Sequence, residues 1–177
     1  MRERWTRILT TAVITGVALL AADSSVSWGQ HGQGHPGGHQ AAQACADEFD
    51  KVVGEGRGFG MAFAADQNGY PGPMHVLELK DRLKLTADQE ARAQALMHAM
   101  FAESKPKSAR LLDAETKLRR LFADRAADDA AVRAAVAEVE RARGEVRLVH
   151  LLAHLKTRDV LTEDQRRLYH EARWGAR

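Results

Sequence analysis

The sequence predicts an all-α fold, a long antiparallel helical hairpin flanked by two short helices. Hydrophobic residues make up 45% of the chain but aromatics only 6%. The apolar content is mostly Ala, Leu and Val, which suits helix seams better than sheets or a thick core. Apolar residues also recur at helical spacing: at about 100° per residue, Val132, Val136, Val139 and Val146 fall on one stripe. Finally, the unit Leu-Thr-x-x-Gln occurs twice, as Leu85, Thr86 and Gln89 and as Leu161, Thr162 and Gln165. Its Thr and Gln have the spacing of a capping box, in which each satisfies a backbone donor at a helix start. No stretch alternates like a strand.

Residues 1–29 have the form of a secretory signal peptide. Arg2, Arg4 and Arg7 precede an uncharged apolar run, Ile8 to Ala22. That run is shorter than the roughly 20 apolar residues of a transmembrane helix. Residues 30–72 are expected to form a disordered His/Gly-rich linker holding one short helix, Ala41 to Val53. Gln30 to Gln40 is nearly all Gly, Gln and His and has nothing to bury against its ordering entropy. Gly54, Gly56, Gly58 and Gly60 should end the short helix, and Asn68 to Pro73 is a turn cluster.

The folded domain is expected over residues 73–177. Pro73 suits the first position of a helix running from Met74 to Lys84, with Val76, Leu79 and Leu83 on one side. Thr86 and Gln89 open a long second helix that carries Leu96, Met100, Leu111, Leu118 and Leu121 and ends near Phe122. Pro106 should bend or divide it. Asp128 or Asp129 caps a third helix reaching about Arg158, and Thr162 opens a last one ending near Trp174. Long Ala-rich helices leave an apolar face to cover, which predicts a homodimer or larger homo-oligomer.

The formal net charge is +2, and loss of the export segment brings it near neutral. Nucleic acid is therefore not an expected partner, because phosphate binding needs a clear positive excess. The one cysteine, Cys45, cannot form an internal disulfide. No phosphate loop, nucleophile elbow or zincin motif is present, so an enzyme is not expected.

The sharpest local feature is His150 with His154. Four residues apart on a helix, they share one face and project toward the valine seam. Two readings stay open: the pair binds a divalent metal, or both rings hydrogen-bond neighbouring carbonyls or carboxylates. His75, beside Met74 and Glu78, is the candidate third ligand if the first helix packs on the hairpin. Three imidazoles with Glu78, Met74 or water suit zinc first, and nickel, cobalt or copper as well. His98, flanked by Met97 and Met100, points away from the seam and is a weaker candidate. His31, His35 and His39 form a looser auxiliary set in the glycine-rich tail.

The paired Leu-Thr-x-x-Gln motifs, the seam histidines and the signal peptide together resemble the Spy/CpxP superfamily over about Gly69 to Arg173. That superfamily includes zinc-resistance-associated proteins and periplasmic heavy-metal sensors or resistance proteins. The resemblance implies a hooked helical hairpin, often dimeric, in the periplasm. It also implies either divalent-metal binding or ATP-independent holding of unfolded envelope proteins. A third reading, apart from the resemblance, is an envelope adaptor that docks on a membrane sensor protein. In the metal-sensor branch a His-x-x-x-Met pair stands on the third helix; here it becomes His150-x-x-x-His154. His75 matches the first-helix contribution. The second-helix carboxylate has no match, the nearest side chains being Met97 and His98. For the holdase alternative, Lys105, Lys107, Arg110, Arg119 and Arg120 supply the positive face such a protein uses.

Overall fold

A computed structural model describes residues 38–175. The signal peptide expected over residues 1–29, and the tail histidines His31 and His35, lie outside the described residues. Among the described residues the elements are α1 (Gly38–Gly54), α2 (Phe63–Asp66), α3 (Pro73–Glu78), α4 (Lys80–Leu83), α5 (Ala87–Ala123), α6 (Asp129–Arg158) and α7 (Glu163–Trp174), with no strand. None of these helices is long and apolar enough to cross a membrane. The all-α hairpin read from the sequence is the observed architecture.

α5 and α6 form the hairpin. Thr86 caps α5 and Thr162 caps α7, each with a complete capping box, while the Asp128 side chain accepts from Ala131 N at the start of α6. The seam of α5 is small: Ala93, Ser104, Ser108 and Ala114 are buried along with Met100 and Leu111. Small side chains let the two helices approach closely, so the seam needs few large apolar groups. α5 runs unbroken through Pro106, so the proline does not divide it. Its ring sits on the exposed face, where the missing donor leaves a carbonyl that water can satisfy.

The buried stripe of α6 is Val139, Val146, Val149, His150, Ala153, His154 and Thr157. Val136, expected on it, is 43% exposed. Val136 shares the side of the stripe but precedes Val139, the first buried residue of α6, and so lies beyond the core cluster that α1 closes over the hairpin.

The segment expected to be a disordered linker is packed from α1 onward. Phe49 and Val53 of α1, with Met61, close over Leu111, Ala114, Val139 and Val146 in one core cluster. The glycines do not loosen it. Gly56 has φ +81°, and a Cβ there would lie 2.8 Å from Lys105 Cγ. Only a bare backbone fits so close to α5, and Ser104 Oγ donates to the Gly56 carbonyl at 2.7 Å.

A second cluster joins Val76 and Leu83 to Ala93, Leu161 and Tyr169. It docks α3, α4 and α7 on one end of the hairpin. The helix expected over residues 74–84 is two pieces, because Leu79 (φ −103°, ψ 14°) steps out of helical geometry between α3 and α4. At this end the two Leu-Thr-x-x-Gln motifs meet. The Gln89 amide donates to Gln165 Oε1 (2.8 Å) and Val160 O (2.9 Å). The Gln165 amide donates to Gln89 Oε1 (3.0 Å) and Leu83 O (3.2 Å).

Candidate metal centre

His150 and His154 stand on the inner face of α6 at 5% and 6% exposure. A neutral ring is the only state such a site tolerates without a counter-charge. Burial, and then the neighbouring His154, push the pKa of His150 down to about 4, against a smaller opposing pull from the Gly56 carbonyl. Burial also lowers the pKa of His154, opposed by the Tyr70 carbonyl and Asp66. Both rings are therefore neutral at pH 7, the state that ligates metal.

The tautomer of His154 follows from its contacts. Nδ1 lies 2.6 Å from the Tyr70 carbonyl, which only accepts, so Nδ1 carries the proton and Nε2 the lone pair. Nε2 lies beside Gly72, where a Cβ would sit 2.8 Å away. The absent side chain leaves room at that lone pair. His150 Nε2 is fully buried with no hydrogen-bond partner, and its ring lies against Gly58, where a Cβ would come within 3.0 Å. Both rings line a cavity of about 280 Å3, which His75, Met74, Met100 and Asp66 also line.

His75 reaches the same wall: its Cδ2 lies 3.3 Å from the Gly72 Cβ position that His154 Nε2 also approaches. Its own nitrogens are engaged. Nδ1 faces Glu78 Oε2 at 3.2 Å and Nε2 accepts from Arg173 Nη2 at 3.2 Å. Glu78 thus meets the imidazole rather than the cavity. His98 is exposed and lines a different depression with Glu55 and Lys105. His39 lies exposed in the first turn of α1. Among the described residues no three His, Cys, Asp or Glu side chains converge closely enough to hold an ion in this arrangement.

Three linked residues, Asp66, Tyr169 and Arg173, have no local signal in the sequence. Asp66 is 5% exposed, accepts from the Tyr169 hydroxyl and pairs with Arg173 Nε at 2.8 Å. Burial, then the bond to Asp66, raise the pKa of Tyr169, so the phenol stays a donor. The sequence model of the heavy-metal resistance family matches residues 58–167, more than half of the chain. The chain belongs to that family. No curated protein and no solved structure matches it. The family ties the chain to heavy-metal resistance, and its matched span begins within the segment that packs around His150 and His154 rather than at Pro73.

Proposed function

We propose that the protein is a periplasmic metal-binding sensor or resistance accessory protein of the Spy/CpxP kind. It takes a divalent transition ion at the cavity wall formed by His154, with His150 and His75 beside it. The observation that carries this is the fixed tautomer of His154. A carbonyl holds its Nδ1 proton, and the Nε2 lone pair opens beside a glycine. That is how metal-ligating histidines are oriented by their outer partners. The orphaned Nε2 of His150 supports it, because a buried nitrogen without a partner is costly unless something binds it. Imidazole donors favour zinc, with nickel, cobalt and copper as the alternatives.

Calorimetric titration of zinc, nickel and copper tests the reading. The double variant His150→Ala/His154→Ala should lose the tight site while keeping weak binding by His31, His35 and His39. Deletion of residues 30–40 should do the reverse. A double variant that binds as tightly and with the same stoichiometry as wild type would remove the seam site.

A second reading is favoured by Leu148, Leu152 and Leu155, an exposed apolar row on α6 with helical spacing. Such a row suits a homodimer contact or ATP-independent holding of unfolded chains. Of Lys105, Lys107, Arg110, Arg119 and Arg120, offered as a basic client face, Lys107, Arg110 and Arg119 are already paired with Glu103, Glu145 and Asp50. The apolar row is therefore the better place to look. Substituting Leu148 and Leu152 with Gln should weaken suppression of client aggregation or dissociate a dimer in sedimentation. A variant unchanged in both would end this reading.

A further inference from the structure

Arg173 places one guanidinium between two groups that both offer lone pairs. Its Nε donates to Asp66 Oδ2 at 2.8 Å and its Nη2 to His75 Nε2 at 3.2 Å. The second contact sets the His75 tautomer. Glu78 takes the Nδ1 proton, so Nε2 presents its lone pair to the cation. Asp66 is almost fully buried, and a carboxylate at that depth requires a positive partner or several donors. Tyr169 supplies one donor and Arg173 the positive charge. His154 lines the same cavity as Asp66, His75 and Arg173, and its lone pair opens beside Gly72, whose Cβ position lies 2.8 Å from His154 Nε2 and 3.3 Å from His75 Cδ2.

We propose that Arg173 is a built-in competitor for the metal. A divalent ion displaces its guanidinium and is held by Asp66 Oδ2, His75 Nε2 and His154 Nε2. Two imidazoles and one carboxylate form a donor set suited to zinc, cobalt or nickel. Each donor already has its outer partner: Glu78 behind His75, the Tyr70 carbonyl behind His154 and the Tyr169 hydroxyl behind Asp66. That is the arrangement that orients ligands for a metal. With Arg173 in place Asp66 and His75 are held on different nitrogens of a guanidinium, which is wider than an ion. The proposal rests on the metal-binding reading above and adds a consequence. Arg173 precedes Trp174, whose ring packs edge-on against Phe63 at 5.3 Å between centroids. Ejecting the guanidinium frees the C-terminal turn of α7, so metal loading changes a surface element that another molecule can read.

The test is a zinc and cobalt titration of the full chain carrying Trp5→Phe and Trp28→Phe, so that Trp174 is the sole indole. Saturating metal should shift Trp174 emission to the red in step with binding. Arg173→Gln should bind at least about tenfold more tightly, since one charge-assisted contact no longer competes. Asp66→Asn should bind at least about tenfold more weakly, with a changed cobalt absorption spectrum. If a folded Arg173→Gln binds no tighter than wild type, or Trp174 emission is unchanged at saturation, Arg173 is not displaced. In that case loss of binding in His154→Ala would still leave the metal reading standing. If neither wild type nor Arg173→Gln binds metal, both readings fall. Should circular dichroism show that Arg173→Gln does not fold, the Trp174 signal of the otherwise native chain decides alone.

Discussion

Acid should unfold the metal-free protein through His150. The folded ring titrates at about 4, whereas the unfolded ring titrates at 6.5. The unfolded state therefore takes up a proton first as the pH falls. The stability contributed by the neutral, buried ring is fully present above pH 6.5 and is lost progressively between about 6.5 and 4. The gap between the two pKa values is equivalent to about 3 kcal/mol, of which about 2 kcal/mol is gone by pH 5. His154 is shifted in the same direction by burial and adds to the loss. This is a large part of the roughly 5–15 kcal/mol that holds a typical domain together. The assay is urea denaturation with chelator present, from pH 7.5 to 4, on wild type and His150→Leu. Wild type should lose about 3 kcal/mol more than the leucine variant across that range. Parallel stability profiles would show that the His150 ring is not held neutral, and would remove the desolvation argument on which its ligand role rests.

Three further outcomes follow from the packing. Gly72→Ala should weaken zinc binding and lower stability by about 1–3 kcal/mol, because the backbone (φ −80°, ψ 151°) accepts alanine but the added Cβ meets His154 Nε2 at 2.8 Å. An isotherm identical to wild type would place the ion elsewhere. Gln89→Leu should cost about 2–3 kcal/mol in thermal or urea unfolding by stranding the Gln165 amide and the Thr86 N–H. The double variant with Gln165→Leu should cost clearly less than the sum, and strict additivity would contradict the pairing. Pro106→Ala should raise the melting temperature, with up to about 3 kcal/mol gained, since it restores a donor inside an unbroken helix. A lowered melting temperature would show that the proline shapes a bend the seam requires.

What could be read from the sequence was local. Thr86, Asp128 and Thr162 cap helices through atoms three residues away, so their spacing alone placed three helix starts. The inward face of His150 and His154 followed from period 3.6 for the same reason. Tertiary burial left no such trace. Residues 54–72 look like a linker because glycine content reports backbone freedom and not what the chain lies against. Val53, Met61, Pro71 and Gly72 are nonetheless buried. Asp66 was invisible because its partners, Tyr169 and Arg173, are 103 and 107 residues away. Likewise, nothing local indicated that the two Leu-Thr-x-x-Gln motifs touch. Each reads in isolation as a helix start.

Their contact joins two turns at one end of the bundle. Every hydrogen-bonding position of both glutamine amides is used. Oε1 of each accepts from its own capping Thr N–H and from the other glutamine, and Nε2 of each donates to the other glutamine and to a carbonyl across the junction, Val160 or Leu83. Glutamate at either position would lose the donor, and asparagine would fall one methylene short, so only glutamine completes the arrangement. The tie fixes the turn between α4 and α5 against the turn between α6 and α7. α7, which leaves the second turn, carries Arg173, and α3, which reaches the first turn through α4, carries His75. The two side-chain amides thus tie the elements that carry His75 and Arg173 together at the bundle end. The motifs hold no ion themselves. They brace the elements that carry His75 and Arg173, so on the proposed competition a loosened junction should also change metal affinity.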